Sequence, residues 1–160
     1  MLSRVNPSVP LLRTARLRLE PVDPALAHAI LAGDLSGVSA APGWPHEDTA
    51  AGLAHAVRAG CPLGWLITSD GEVIGDCGAH APPDERGCVE IGYGLAAPYR
   101  GRGLGSEAVA AVTAWLLAQP DIARVVACTA ASNVASRRVL VKAGYRLAGH
   151  GQGECIYEHL

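Results

Sequence analysis

Polar and apolar residues alternate along Arg16-Leu17-Arg18-Leu19-Glu20, the period of a strand with one buried face. Pro21 and Pro24 end it, and Asp23 is placed to open a short helix over residues 25–31 that stops at Gly33. A second helix is expected from near Pro45, with Glu47 and Asp48 favourable at its positive end. Its apolar stripe reads Ala50, Leu53, Ala54 and Val57, and Gly60 closes it. The period then changes. Residues 65–68 and 73–75 flank Asp70-Gly71, the short-range signal of a tight hairpin. Residues 88–95 read as a further strand, with Val89, Ile91 and Tyr93 on one face and Cys88, Glu90, Gly92 and Gly94 on the other.

Beyond a glycine-rich stretch, Leu104, Ala108, Ala111, Val112 and Trp115 recur at helical spacing, so a helix runs to about Ala118, ahead of Pro120. Residues 124–129 form a strand. Ser132 or Asn133 caps a helix that reaches Lys142, Gly144 is a left-handed terminator, and residues 145–147 and 155–157 make a final strand pair. The order β-α-α-β-β-β-α-β-α-β-β predicts an α+β (mixed α/β) fold, with one domain over residues 1–160.

Composition narrows the chemistry. The chain has 160 residues, 49% of them hydrophobic and none of them phenylalanine, so its core must be built largely from Ala, Val and Leu. A net charge of −2 gives no global attraction to phosphate polymers or anionic membranes, and neither nucleic acid nor membrane is an expected partner. The five cysteines (61, 77, 88, 128 and 155) contain no C-x-x-C pair. They read as packing residues in a reducing cytoplasm, and no metal site is expected. No stretch has the apolar core of a signal peptide or of a membrane span, so the expected setting is cytoplasmic.

Residues 90–116, EIGYGLAAPYRGRGLGSEAVAAVTAWL, read as strand, glycine-rich turn and helix. Small residues let the backbone approach an anion, and the unpaired amides of a helix N-terminus point at it. Arg100 and Arg102 add charge suited to more than one phosphate. A P-loop would need Gly-Lys-Ser/Thr after its last glycine, and Gly101-Arg102-Gly103-Leu104-Gly105-Ser106 fails the dinucleotide spacing G-x-G-x-x-G. The pattern that fits is Arg-x-x-Gly-x-Gly at 100, 103 and 105.

This stretch resembles the coenzyme A pyrophosphate loop of the GNAT acyltransferases, and Glu90-Ile91-Gly92-Tyr93 and Pro98-Tyr99 fit the same pattern. Asn133-x-x-Ser136, followed by Lys142-x-Gly144-Tyr145, resembles the last block of that pattern in the branch that includes ribosomal-protein N-terminal acetyltransferases. Leu12-Arg13-Thr14-Ala15-Arg16-Leu17-Arg18-Leu19 resembles the opening strand of that branch, so the likeness spans residues 12–157. It implies a central, mostly antiparallel sheet, flanked by helices, that splays open between two parallel strands. It further implies acetyl-CoA or another acyl-CoA as co-substrate, bound by the loop Arg100, Gly101, Arg102, Gly103, Leu104, Gly105 and Ser106. The pantetheine arm would pair with the backbone of Leu95 and Ala97. The implied acceptor is a primary amine (a protein N-terminus, a small metabolite or an antibiotic), and dimerisation is common in this branch. The alternative is a non-catalytic acyl-CoA-binding sensor of the same fold.

Acyl transfer to an amine needs a neutral amine, a polarised carbonyl and a proton for the departing thiolate. Glu90, flanked on its face by Cys88 and Gly92, is the expected base, with its pKa raised by partial desolvation. A strand amide near residues 91–95 would polarise the thioester oxygen. The resemblance offers Ser136 or Tyr145 as the acid. Tyr145 reads as core packing; the resemblance to this branch favours Ser136 as the acid and implies that Asn133 orients the pantetheine arm. His80 and Asp76 are within reach of the acceptor side. His46 and His55 read as ordinary residues of a surface helix. The irregular stretch 33–45, including Trp44, is expected to shape the acceptor pocket.

Overall fold

The computed structural model describes residues 9–61 and 63–160. In chain order the elements are β1 (Leu12–Arg13), β2 (Arg18–Pro21), α1 (Pro24–Leu31), α2 (Thr49–Arg58), β3 (Gly64–Ser69), β4 (Glu72–Ala79) and β5 (Cys88–Leu95). A single 3-10 turn (Ala97–Tyr99) leads to α3 (Leu104–Leu117), β6 (Arg124–Ala130), α4 (Val134–Lys142), β7 (Arg146–Gly151) and β8 (Glu154–His159).

The eight strands form one sheet in the order β1-β2-β3-β4-β5-β6-β8-β7. Every neighbouring pair is antiparallel except β5 and β6. Those two are parallel because α3 carries the chain back across the sheet before β6 begins. Their pairing is short: Cys88, Val89 and Glu90 stand opposite Arg124, Val125 and Val126. Beyond Glu90 the two strands part, and β5 has no neighbour on that edge while it still pairs with β4 as far as Leu95. The sheet therefore splays open at its middle.

Local chemistry accounts for most element boundaries. Asp70 (φ +50°) and Gly71 (φ +80°) both take the left-handed conformation that turns β3 tightly into β4. Asp23 caps α1 by accepting the Leu26 N–H at 2.7 Å, and Asn133 caps α4 by accepting that of Ser136 at 3.0 Å. The second helix begins at Thr49, not near Pro45. Ahead of it, His46 N–H donates to Thr49 Oγ1 and Asp48 N–H donates to His46 Nδ1, both at 3.2 Å. These side chains satisfy the amides that another helical turn would have used. The apolar stripe is narrower than expected, since Ala50 is exposed while Leu53, Ala54 and Val57 are half-buried.

The core lies between α3 and the sheet. Leu19, Trp65, Ile67, Ile74, Val89, Ile91, Val109, Val112 and Leu116 are almost fully buried there. With no phenylalanine available, two tryptophans supply aromatic packing: Trp65 and Trp115 meet edge to face with ring centres 5.4 Å apart. Tyr145 belongs to this core too, with its hydroxyl 2.6 Å from Thr113 Oγ1.

Candidate active site

The glycine-rich loop turns through two left-handed residues, Gly101 (φ +77°) and Gly103 (φ +78°), before α3 begins. Gly103 occupies the cap position and offers no side chain, so the first amides of α3 are left without a side-chain cap. The loop's own arginines are turned toward its backbone. Arg100 is turned back, its Nε donating to Leu95 O at 2.9 Å. Arg102 lies over the Tyr99 ring, 5.6 Å from its centre, and donates to Pro98 O. The groups that frame Gly103 are Lys142 and Arg16: a Cβ there would stand 3.0 Å from Lys142 Nζ and 3.4 Å from Arg16 Nη2. The loop is also fixed from below. Glu107, in the first turn of α3, accepts from Thr14 Oγ1 (2.5 Å), Arg16 N–H (2.8 Å) and Arg16 Nε (2.7 Å), while Arg16 Nη1 donates to Arg102 O at 2.9 Å.

The remaining loop positions divide between packing and cradle. Leu104 and Ser106 are buried, and Ser106 Oγ donates to Val139 O at 3.4 Å, so its hydroxyl faces α4. A Cβ on Gly105 would rest on Val139 and Leu95 at 3.6–3.7 Å, so α4 closes over that position. The Ala97 carbonyl accepts the Arg100 N–H, and the Leu95 carbonyl is already held by Arg100 Nε. Only their remaining backbone groups are free to meet an extended ligand.

At the mouth of the splay, Tyr93 reaches from β5 to α4. Its hydroxyl lies 2.7 Å from Ser136 Oγ and donates to Ser136 O at 3.1 Å. Burial pushes the Tyr93 hydroxyl up to about 12, outweighing its bond to Ser136, so it stays protonated. Asn133 Oδ1 is committed to its capping bond, leaving its amide nitrogen to face the splay or solvent.

On the other side of β5 lies an open cavity of about 390 Å³, walled by α2, β3 and β4 and floored by Gly92 and Tyr93. Three imidazoles line it: His46, His55 and His80. This corrects the reading of His46 as an ordinary residue of a surface helix, while His55 is an exposed residue of α2, as read, that also lines the cavity. His46 precedes α2, its side chain is only 7% exposed, and its ring lies over Gly94, where a Cβ would stand 2.5 Å from Cε1. Asp76 gathers the groups beneath it, accepting from Trp44 Nε1 at 2.9 Å and Thr49 Oγ1 at 2.8 Å. His46 Nε2 is 3.2 Å from the same carboxylate oxygen but off the line of a hydrogen bond. The Asp76 carboxylate raises the His46 pKa against the opposing effect of burial. The stretch 33–45 does not line the cavity; its Trp44 is buried and acts through Asp76.

Glu90 departs from expectation. Its side chain is 45% exposed, it does not line the cavity, and its pKa is lowered instead of raised. His80, with Nδ1 at 3.6 Å from Glu90 Oε1, stabilises the carboxylate more than partial burial destabilises it. The sequence signal for this partner was Gly92 and Gly94 themselves. Two bare positions on one face of a central strand must be covered by side chains from elsewhere.

Among the described residues no group of three or more His, Cys, Asp or Glu side chains is placed to hold a metal ion, and no helix is long and apolar enough to cross a membrane.

An uncapped helix N-terminus behind a glycine turn, beside a parallel strand pair that splays, defines an acyltransferase of the GNAT type. The family model described as Acetyltransferase (GNAT) domain matches residues 16–146, and the chain belongs to this family of acetyl-CoA-dependent N-acetyltransferases. It is similar to an uncharacterized N-acetyltransferase, YjdG, of Bacillus subtilis strain 168, with 29% identity over 93% of this chain and 95% of that protein. Among solved structures, an acetyltransferase from Agrobacterium tumefaciens C58 superposes with a TM-score of 0.68 and 25% identity, covering 96% of this chain and 95% of the other. RimL, a ribosomal L7/L12 alpha-N-protein acetyltransferase in complex with coenzyme A, superposes with a TM-score of 0.65 and 21% identity over 94% of this chain and 98% of its own. That last likeness concerns the fold.

Proposed function

We propose that this chain transfers the acetyl group of acetyl-CoA to a primary amine by direct attack, with both substrates bound on β5. The observation that carries this reading is the position of that strand: the splay opens along one of its edges, and the cavity opens on one of its faces. A donor and an acceptor can meet there without either leaving its site.

The residues present fit acetyl-CoA, which supplies the acetyl group as a thioester. The uncapped amides of α3, with Lys142 and Arg16 around Gly103, would hold the pyrophosphate. The edge of β5 bared beyond Glu90 offers main-chain donors and acceptors to the pantetheine arm and the thioester oxygen. The amide of Asn133 would orient the arm. Ser136 would give a proton to the departing thiolate, and Tyr93, protonated and 2.7 Å away, would replace it. The acceptor cavity has apolar walls (Val22, Leu53, Leu63, Trp65) around its imidazoles, which suits an amine carried on a compact, partly apolar group.

The test is calorimetric titration with acetyl-CoA, followed by thiol release against a panel of primary amines: peptides with a free N-terminal serine or alanine, tyramine and an aminoglycoside. Binding followed by amine-dependent release is the expected result, and Gly103→Glu should abolish binding by placing a carboxylate in the cradle. No binding at millimolar acetyl-CoA would refute the reading.

A further inference from the structure

We propose that His80 takes the proton from the attacking amine, and that Glu90 serves the reaction by holding His80. This rests on the amine-acylation reading above and assigns its base.

His80 stands at the end of β4, where its N–H donates to Glu90 O at 2.9 Å. That bond continues the β4–β5 ladder by one step past Ala79 and Ile91 and makes the two residues a cross-strand pair with side chains on one face. The imidazole turns Nδ1 toward Glu90 Oε1 at 3.6 Å. A carboxylate attracts an N–H and repels a lone pair, so in the neutral ring the proton sits on Nδ1 and the free lone pair on Nε2. Nε2 lies directly over Gly92, where a Cβ would collide with it, and it makes no hydrogen bond among the described residues. His80 and Gly92 both line the cavity, whereas Glu90 does not.

Of the pair, only His80 lines the cavity. Glu90 is turned to solvent on the far side of the ring and is held ionised by it, which makes it a poor proton acceptor and a good partner for Nδ1–H. His55 packs edge-on against His80 with ring centres 5.5 Å apart. With no side chain at 92, the Nε2 tip of the ring can rest against the strand.

The step balances as follows. The amine reaches the cavity having already lost its extra proton to water. Its nitrogen lone pair forms the bond to the acetyl carbonyl carbon, and one N–H proton passes to His80 Nε2. The carbon–sulfur bond breaks with its electron pair going to sulfur, which takes the Ser136 proton; Tyr93 returns a proton to Ser136 and regains its own from water. The imidazolium then returns its proton to water.

Two measurements test this. In the free protein above pH 8, nitrogen–proton correlation spectra of the histidine side chains should show His80 with its proton on Nδ1, shifting toward Nε2–H in Glu90→Gln. An Nε2–H tautomer in the wild type overturns the proposal, whatever the acceptor is. In the thiol-release assay with the amines named above, His80→Ala should lose roughly a hundredfold or more in kcat/KM, within the usual worth of a general base. Acetyl-CoA affinity should be kept, and added imidazole should restore part of the rate. Glu90→Gln should lose roughly tenfold, and the double variant should be no slower than His80→Ala. A Glu90→Gln loss that persists in the His80→Ala background returns the base to Glu90. If His80→Ala folds poorly, His80→Gln serves in its place, and activity near that of wild type in a folded variant overturns the proposal. Acetyl-CoA binding with no amine-dependent release in the wild type overturns the acylation reading itself, while the tautomer measurement stands apart from it.

Discussion

The Tyr93 hydroxyl stands 2.7 Å from Ser136 Oγ and ties β5 to α4 at the mouth where β5 and β6 part. Tyr93→Phe removes this tie without changing the ring. Stability should fall by about 1 kcal/mol, the worth of an ordinary hydrogen bond. Turnover should fall roughly ten- to a hundredfold if the hydroxyl reprotonates Ser136. Thermal unfolding and thiol release check the two separately, and an unchanged kcat would show that the tie is purely structural.

Glu107 joins the β1–β2 turn to the loop through three bonds, and Glu107→Gln weakens them. The expected cost is about 1–3 kcal/mol, for a charged acceptor whose partners are left short. Burial alone would raise its pKa, but the bonds from Thr14 and Arg16 outweigh that effect and hold it below the ordinary 4.5. A lowered carboxylate stabilises the fold above its unfolded pKa and loses that contribution as pH falls through the folded one. The wild type should therefore lose stability below about pH 4.5, and the variant should lose less over the same range. Urea titrations from pH 7 to pH 3 would measure it, and parallel curves would rule the clamp out.

Gly92→Ala and Gly94→Ala should differ in kind. The ring above Gly92 belongs to a side chain 34% exposed, which can swing away. The ring above Gly94 belongs to His46, 7% exposed and backed by Asp76. Gly94→Ala should cost about 1–3 kcal/mol by overpacking, while Gly92→Ala should keep most of the stability and lose turnover. Chemical denaturation beside the thiol assay distinguishes them, and equal stability losses would mean that His46 is not confined.

Lys142 is the cation nearest the missing Cβ of Gly103. Lys142→Ala should weaken acetyl-CoA binding by roughly five- to tenfold, the worth of a partly solvated charge pair of about 1 kcal/mol. The gap between the two proteins should narrow as salt rises. Calorimetry at low and high ionic strength gives the answer, and equal affinities would remove Lys142 from the site.

Much of the fold was legible because its signals are local. Period-two alternation marked β5, Asp70-Gly71 marked the hairpin, and Asn133 marked the start of α4. The start of α2 was hidden because His46 and Thr49 satisfy the neighbouring amides, which propensity at Pro45, Glu47 and Asp48 does not reveal. The charge state of Glu90 was hidden for a different reason. It depends on His80, which the β4–β5 connection delivers, and burial alone argues for the opposite direction. Arg100 and Arg102 were conspicuous in the loop, yet their guanidinium groups brace the backbone, and distant Lys142 and Arg16 frame the cradle.

Beneath the cavity, β5 leaves positions 92 and 94 bare. Its two glycines are roofed by rings from the segment before α2 and from the end of β4. If the cavity takes the acceptor, as proposed above, a change of acceptor preference needs no change in the loop that follows β5 or in α3. On the reading proposed above, evolution, or an engineer, can exchange His46 and His55 as replaceable tiles while His80 and the machinery that handles the acetyl donor stay as they are.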